Sequence, residues 1–247
     1  MLDLNLESVR WELKKLLMFP IPEIVIVSMI FNGTVVLPSI IVLPEDAHPY
    51  VYGFVQNILH SIILYTFMVQ GITMGIVAAT IFAYEREAGI LDTELVYSRS
   101  RTELFVGKFI ALFLAGIIYY FTVILMLVVY NFRGSWIIES VSSLFSLCPP
   151  MLVQIIFIIS LNIFISTISD KIVISVLSSA LTFYSLDNLL KYSNPQPGSF
   201  LYNIPPISTS AFLYVPEVAG NLIVAFIISL AFLLVAYVYF TRFYEVK

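Results

Sequence analysis

Six long apolar stretches dominate the hydrophobic pattern, at residues 24–43, 58–83, 109–130, 151–168, 172–186 and 218–240. A helix needs roughly 20 apolar residues to cross the hydrocarbon core of a bilayer, so runs of this length predict membrane spans; the fifth is the shortest. The runs are continuously apolar, whereas barrel strands would alternate lipid-facing and lumen-facing residues. Helices also satisfy every backbone donor and acceptor within one segment, as a lipid environment requires. The pattern therefore predicts an all-α polytopic membrane protein with six transmembrane helices, forming one domain over residues 1–247.

The polar positions organise what lies between the runs. Within residues 4–19, Leu6, Val9, Leu13, Leu16 and Leu17 recur at helical spacing, with Glu7, Arg10 and Lys14 on other faces. This predicts an amphipathic helix lying in the membrane interface before Pro20 and Pro22 turn the chain into the first span. Ser169, Asp170 and Lys171 allow only a tight turn, so the fourth and fifth spans should form an antiparallel hairpin. Residues 191–215 contain Pro195, Pro197, Pro205 and Pro206 and many apolar side chains. A solvated loop would be more polar, and short helices dipping into the outer leaflet are expected here.

Charge is concentrated at one place. Residues 84–108, YEREAGILDTELVYSRSRTELFVGK, hold nine of the 28 Asp, Glu, Lys and Arg residues, and the apolar runs on either side hold none. Gly89 interrupts helical continuity at about 1 kcal/mol relative to Ala. Beyond it Ile90, Leu91, Leu95 and Val96 recur near helical spacing, with Asp92, Glu94 and Arg99 expected opposite. The spacing predicts a span ending in water, a bend, and a short amphipathic helix. Fixing topology needs only the cations, yet Glu85, Glu87, Asp92, Glu94 and Glu103 are interleaved with them. Mixed signs of this kind suit docking against a complementary protein surface.

Composition agrees with the membrane reading: 60% of residues are hydrophobic, 11% are charged and the mean hydropathy is +0.98, whereas soluble domains carry about a quarter charged residues. Lys and Arg collect in short cytoplasmic loops. With the N-terminus inside and six spans, Arg10, Lys14, Lys15, Arg86, Arg99, Arg101, Lys108, Lys171, Arg242 and Lys247 face the cytoplasm, and only Arg133 and Lys191 face outward. Both termini are thus expected in the cytoplasm of a cell-membrane protein. Residues 1–20 carry charges rather than the apolar core of a cleavable signal peptide. The single cysteine, Cys148, rules out an internal disulfide and a cysteine-based metal cluster.

The segment EREAGILDTELVYSRSRTELFVGK resembles the region after the second span in permeases of the type-2 ABC exporter family. The matching residues are Glu85, Arg86, Glu87, Gly89, Leu91, Leu95, Ser98, Arg99 and Lys108; Ile90 and Tyr97 depart from the family pattern, which favours Thr and Pro there. The resemblance extends to six spans, an N-terminal interfacial helix and an apolar outer connection between spans five and six. It implies that residues 84–103 form a coupling helix seated in a groove of a separate cytoplasmic ATPase subunit, with Glu85, Arg86, Glu87, Gly89, Leu91, Leu95 and Arg99 as the docking residues. It further implies pairing with a second copy or a related permease. ATP and Mg would sit on the ATPase, leaving no cofactor and no catalytic residue in this chain. Consistently, the sequence has no GxxxxGK[ST] phosphate loop; around Gly107 and Lys108 the first Gly is replaced by Thr102 and the Ser/Thr by Phe109.

Other chemistry is thinly represented. Gly71, Gly75, Ala78 and Ala79 make a small-residue face in the second span, suited either to packing within the chain or to self-association. Asn32, Gln70, Gln154, Asn162 and His60 are the polar groups of the spans, read as helix–helix contacts. No Asp, Glu, Lys or Arg lies within the six runs. Ion-driven carriers usually retain such a residue near the midplane, which weighs against the alternative of an ion-gradient-driven transporter or channel-like protein. His48 and His60 lack a Glu at metal-ligand spacing, so neither an intramembrane enzyme nor a metal site is expected. Nothing suggests nucleic-acid binding.

Overall fold

A computed structural model describes residues 6–18, 23–24, 26–28, 30–31, 51–97, 100–131, 136–193, 196, 199–214 and 219–243. Among these residues the chain is helical and contains no strand. We label the helices α1 (Leu6–Met18), α2 (Val51–Ala79), α3 (Ile90–Tyr97), α4 (Arg101–Asn131), α5 (Trp136–Ile168), α6 (Ile172–Tyr192), α7 (Ile207–Tyr214) and α8 (Ala219–Val238). α2 runs on through a π-helical turn, Thr80–Tyr84, into Glu85–Glu87, and α8 ends in a second π turn, Tyr239–Phe243.

Five segments are long and apolar enough to cross a membrane: Thr66–Glu87, Arg101–Thr122, Cys148–Ile168, Ile172–Leu190 and Ala219–Arg242. This is a membrane protein, and these five match the second to sixth predicted spans. The predicted first span, 24–43, and with it Asn32, lies mostly outside the described residues. Helix ends differ from the apolar runs. α4 begins at Arg101 rather than near residue 109, and α5 begins at Trp136 rather than near 151, passing through Pro149 and Pro150. Hydrophobicity marks where lipid can lie, but backbone hydrogen bonding continues a helix beyond it.

α2 is the central helix, packed along both α5 and α6, while α8 packs along α5 and α1 lies against α4. Close approach to α6 depends on glycine. A Cβ at Gly71 would overlap the Phe183 ring, and one at Gly75 would lie 2.6 Å from Ser179 Cβ. Ala78 and Ala79 are buried beside them. The small-residue face is therefore occupied by α6 of the same chain. Buried polar groups join the helices as membrane interiors require: Asn162 Nδ2 donates to Gly71 O at 3.0 Å, Thr73 Oγ1 donates to Ser28 Oγ at 2.7 Å, and Ser28 also bonds Tyr119. Gln70 and Gln154 are buried as well.

The connection 191–215 contains a 3-10 helix, Phe200–Asn203, and α7. A cis peptide joins Pro205 to Pro206 between them. α7 packs against α2, α5 and α8 with Ile204, Ser208 and Thr209 buried. The short helices expected from its apolar composition are present.

Candidate functional site

The charged connection forms an elbow at one end of the bundle, where α1, the end of α2, α3, the start of α4, the α5–α6 turn and the end of α8 meet. Gly89 makes the bend with φ +70°. In that left-handed region a Cβ is strained; nothing lies within 4 Å of where one would sit. The backbone, and not crowding, calls for glycine here.

Glu85, Arg86 and Glu87 point in different directions. Glu85 turns inward to a buried ionic cluster. Lys108 Nζ, with no exposed side-chain surface, lies 3.1 Å from Glu12 Oε1 and 3.0 Å from Glu94 Oε2 and also pairs with Glu85 Oε2. Lys15 Nζ lies 3.1 Å from Glu85 Oε1 and 3.4 Å from Glu12 Oε1 and pairs with Glu94. Two ammonium groups and three carboxylates thus tie α1, α2, α3 and α4 together. The pairing explains how these charges are buried at all, since an isolated ion at such a site would be strongly disfavoured.

An aromatic cluster closes the other side of the elbow. Phe105 lies between Phe240 and Tyr237, with both ring centroids at 5.5 Å, and Phe82 is 5.9 Å from Phe105 and 6.0 Å from Phe240. Phe82 and Phe240 belong to the two π turns, so the two irregular helix ends pack on each other. π turns recur at functional sites. Thr102 Oγ1 and Tyr237 OH are 3.1 Å apart, and Arg101 Nη1 donates to Thr241 O at 3.2 Å.

Arg86 and Glu87 face the hairpin instead. Arg86 Nη2 donates to Thr167 O at 2.7 Å and Nη1 to Ser169 O at 3.4 Å, with Asp170 Oδ1 at 3.3 Å. Glu87 Oε2 accepts the Ile172 N–H at 3.0 Å.

These contacts revise the expected docking residues. Glu85 and Leu91 are buried, Leu95 packs against the core and Arg86 is committed to the hairpin, so they hold the elbow in place rather than present it. Glu94 was expected opposite the apolar positions. It falls instead on the inner face with Leu91 and Leu95, because residues 91, 94 and 95 share one side of a helix. Glu87 is exposed but, like Arg86, is committed to the hairpin, so it leaves the docking set; Gly89 is exposed, and Arg99 lies outside the described residues. The outward surface is formed by Ala88, Gly89, Ile90, Thr93 and Val96, with Val96 75% and Ile90 37% exposed.

The sequence carried a signal for the ionic cluster. Glu12 lies on the same face as Val9, Leu13 and Leu16, and Lys108 between Leu104, Phe105, Ala111 and Leu112, so each occupies a core position of its helix. No group of three or more His, Cys, Asp or Glu suited to a metal occurs among the described residues.

Comparison with protein-family models gives no match, and comparison with curated proteins gives none either.

Proposed function

We propose that this chain is the transmembrane subunit of an ABC exporter of the type-2 kind, moving its cargo with energy from ATP hydrolysed on a separate cytoplasmic subunit. One observation carries the reading. A short helix, bent away from its span at a left-handed glycine, exposes Ile90 and Val96 while its inner face is locked by Leu91 and Glu94. A solvated loop has no use for such anchoring, whereas a lever needs a rigid attachment and a free face. The end of the bundle that bears it also gathers Lys15, Arg86, Arg101, Lys108, Lys171 and Arg242, which suits the cytoplasmic side.

In this account the ATPase, with its ATP and Mg, receives the outward face of α3. The chain itself is not an enzyme. A second copy or a related permease completes the transport path, α1 lies in the cytoplasmic interface with Trp11 and Leu17 exposed toward lipid, and both termini are cytoplasmic. The 200–214 segment forms the re-entrant element of the outer side.

A photo-crosslinking amino acid at Val96 tests the reading. It should capture a polypeptide that bears a nucleotide-binding phosphate loop, and the same group at exposed Leu181 should not. Capture confined to lipid at both positions would contradict it.

A further inference from the structure

Each end of an α-helix leaves backbone groups without intrahelical partners, carbonyls at the C-terminus and N–H groups at the N-terminus. The turn between α5 and α6 brings one of each within four residues. At the α5 end Ser169 donates its N–H and its hydroxyl to one carbonyl, Ile165 O, but Lys171 occupies the N-cap of α6 and gives no side-chain hydrogen bond there. A lysine offers no acceptor, and its charge opposes the positive end of the helix.

The groups left over at both ends are held by consecutive residues from the end of α2, more than eighty positions earlier. The Arg86 guanidinium holds the Thr167 and Ser169 carbonyls at the C-terminal end of α5, and the Glu87 carboxylate accepts the first N–H of α6. Each sign is the favourable one for the dipole it meets: a cation at a C-terminus and an anion at an N-terminus. Only Ala88 and Gly89 separate this pair from α3.

We propose that Arg86 and Glu87 are positioning residues, a two-pronged bracket that fixes the α5–α6 hairpin to the elbow so that a displacement of α3 moves both helices as one body. The source of that displacement rests on the docking reading above; the bracket itself is a property of the single chain.

The test uses the full chain in lipid nanodiscs with Cys148→Ser and spin labels at Thr93→Cys and Val173→Cys, both exposed positions. An intact bracket gives one narrow distance distribution. Arg86→Ala and Glu87→Ala should each lose that single peak, and Glu87→Gln should restore it, because its amide oxygen still accepts the Ile172 N–H. Equally narrow distributions in both alanine variants would overturn the bracket, and a Glu87→Gln variant as broad as Glu87→Ala would overturn capping as its cause. In unlabelled chain reconstituted with its ATPase, Glu87→Ala should keep ATP hydrolysis and lose cargo movement, with Glu87→Gln recovering it. Normal coupling in Glu87→Ala would overturn the transmission. Failure of any ATPase to associate with the wild-type chain would defeat the docking reading alone, since the distances are measured without a partner.

Discussion

Replacing Lys108 by Met is the sharpest perturbation of the elbow. Met keeps most of the apolar stem, one atom shorter, and removes the charge that three carboxylates share. At about 3 Å and an effective dielectric of about 20, each ion pair of Lys108 is worth roughly 5 kcal/mol before desolvation is counted. Most of that gain is offset by the desolvation of burying the ions, so the pair sum is not the stability change. What matters is the charge left behind. Glu12 and Glu85 are almost fully buried and would retain only Lys15, itself partly exposed. Removing one partner of a buried pair costs about 3–5 kcal/mol, which is the loss expected for Lys108→Met. Lys15→Met should lose less, about 1–2 kcal/mol, because Lys108 still reaches the same three carboxylates and the site is partly hydrated. The assay is reversible unfolding of the chain in mixed micelles, followed by the fluorescence of Trp11 and Trp136. The double variant Lys108→Met/Glu85→Leu removes a carboxylate together with its counter-charge. It should be more stable than the sum of the singles by about 1–3 kcal/mol, since the residues act as a unit. A Lys108→Met change within about 0.5 kcal/mol of wild type, the range of ordinary surface substitutions, would refute the cluster. So would strict additivity.

Three further outcomes follow from the same geometry. Gly71→Ala should destabilise the chain by about 1–3 kcal/mol in that assay through overlap with the Phe183 ring, and adding Phe183→Leu should recover part of the loss. Gly89→Ala should cost about 1–2 kcal/mol from the left-handed backbone alone, with Gly89→Asn tolerated better because Asn visits that region more readily. Ile90→Asp and Val96→Asp should leave stability within about 0.5 kcal/mol, being exposed, yet each should abolish association with the proposed ATPase subunit in a pull-down from membranes.

Much of the architecture was legible because lipid imposes a simple rule. Helices that must hide their own backbone and face hydrocarbon leave long apolar runs, and the five described spans fall where those runs fall. Gly89 and the turn at 169–171 were also readable, since each follows from local backbone preference. Extensions such as Arg101–Lys108 and Trp136–Pro150 were not, because helix continuation there depends on packing rather than on hydropathy. The elbow is visible in the sequence as a place, but its internal pairing is not. Charges ordinarily seek water, which places Glu85 and Glu94 outward on the sequence alone. Their partners lie far away in sequence, at Glu12, Lys15 and Lys108, and no local spacing shows that two lysines will pair with three glutamates. Apolar neighbours at helical spacing around Glu12 and Lys108 were the available clue. Glu87 and Arg86 illustrate the same limit: their targets are backbone groups, which carry no sequence signature.

The central proposal is a motor supplied from outside this chain. Tagged protein purified from its native membrane in mild detergent and assayed for Mg-dependent ATP hydrolysis should bring that activity with it. The Ile90→Asp and Val96→Asp variants, recovered in equal amount, should bring none. Cargo movement by the chain alone in liposomes, driven by an ion gradient and indifferent to ATP, would contradict it.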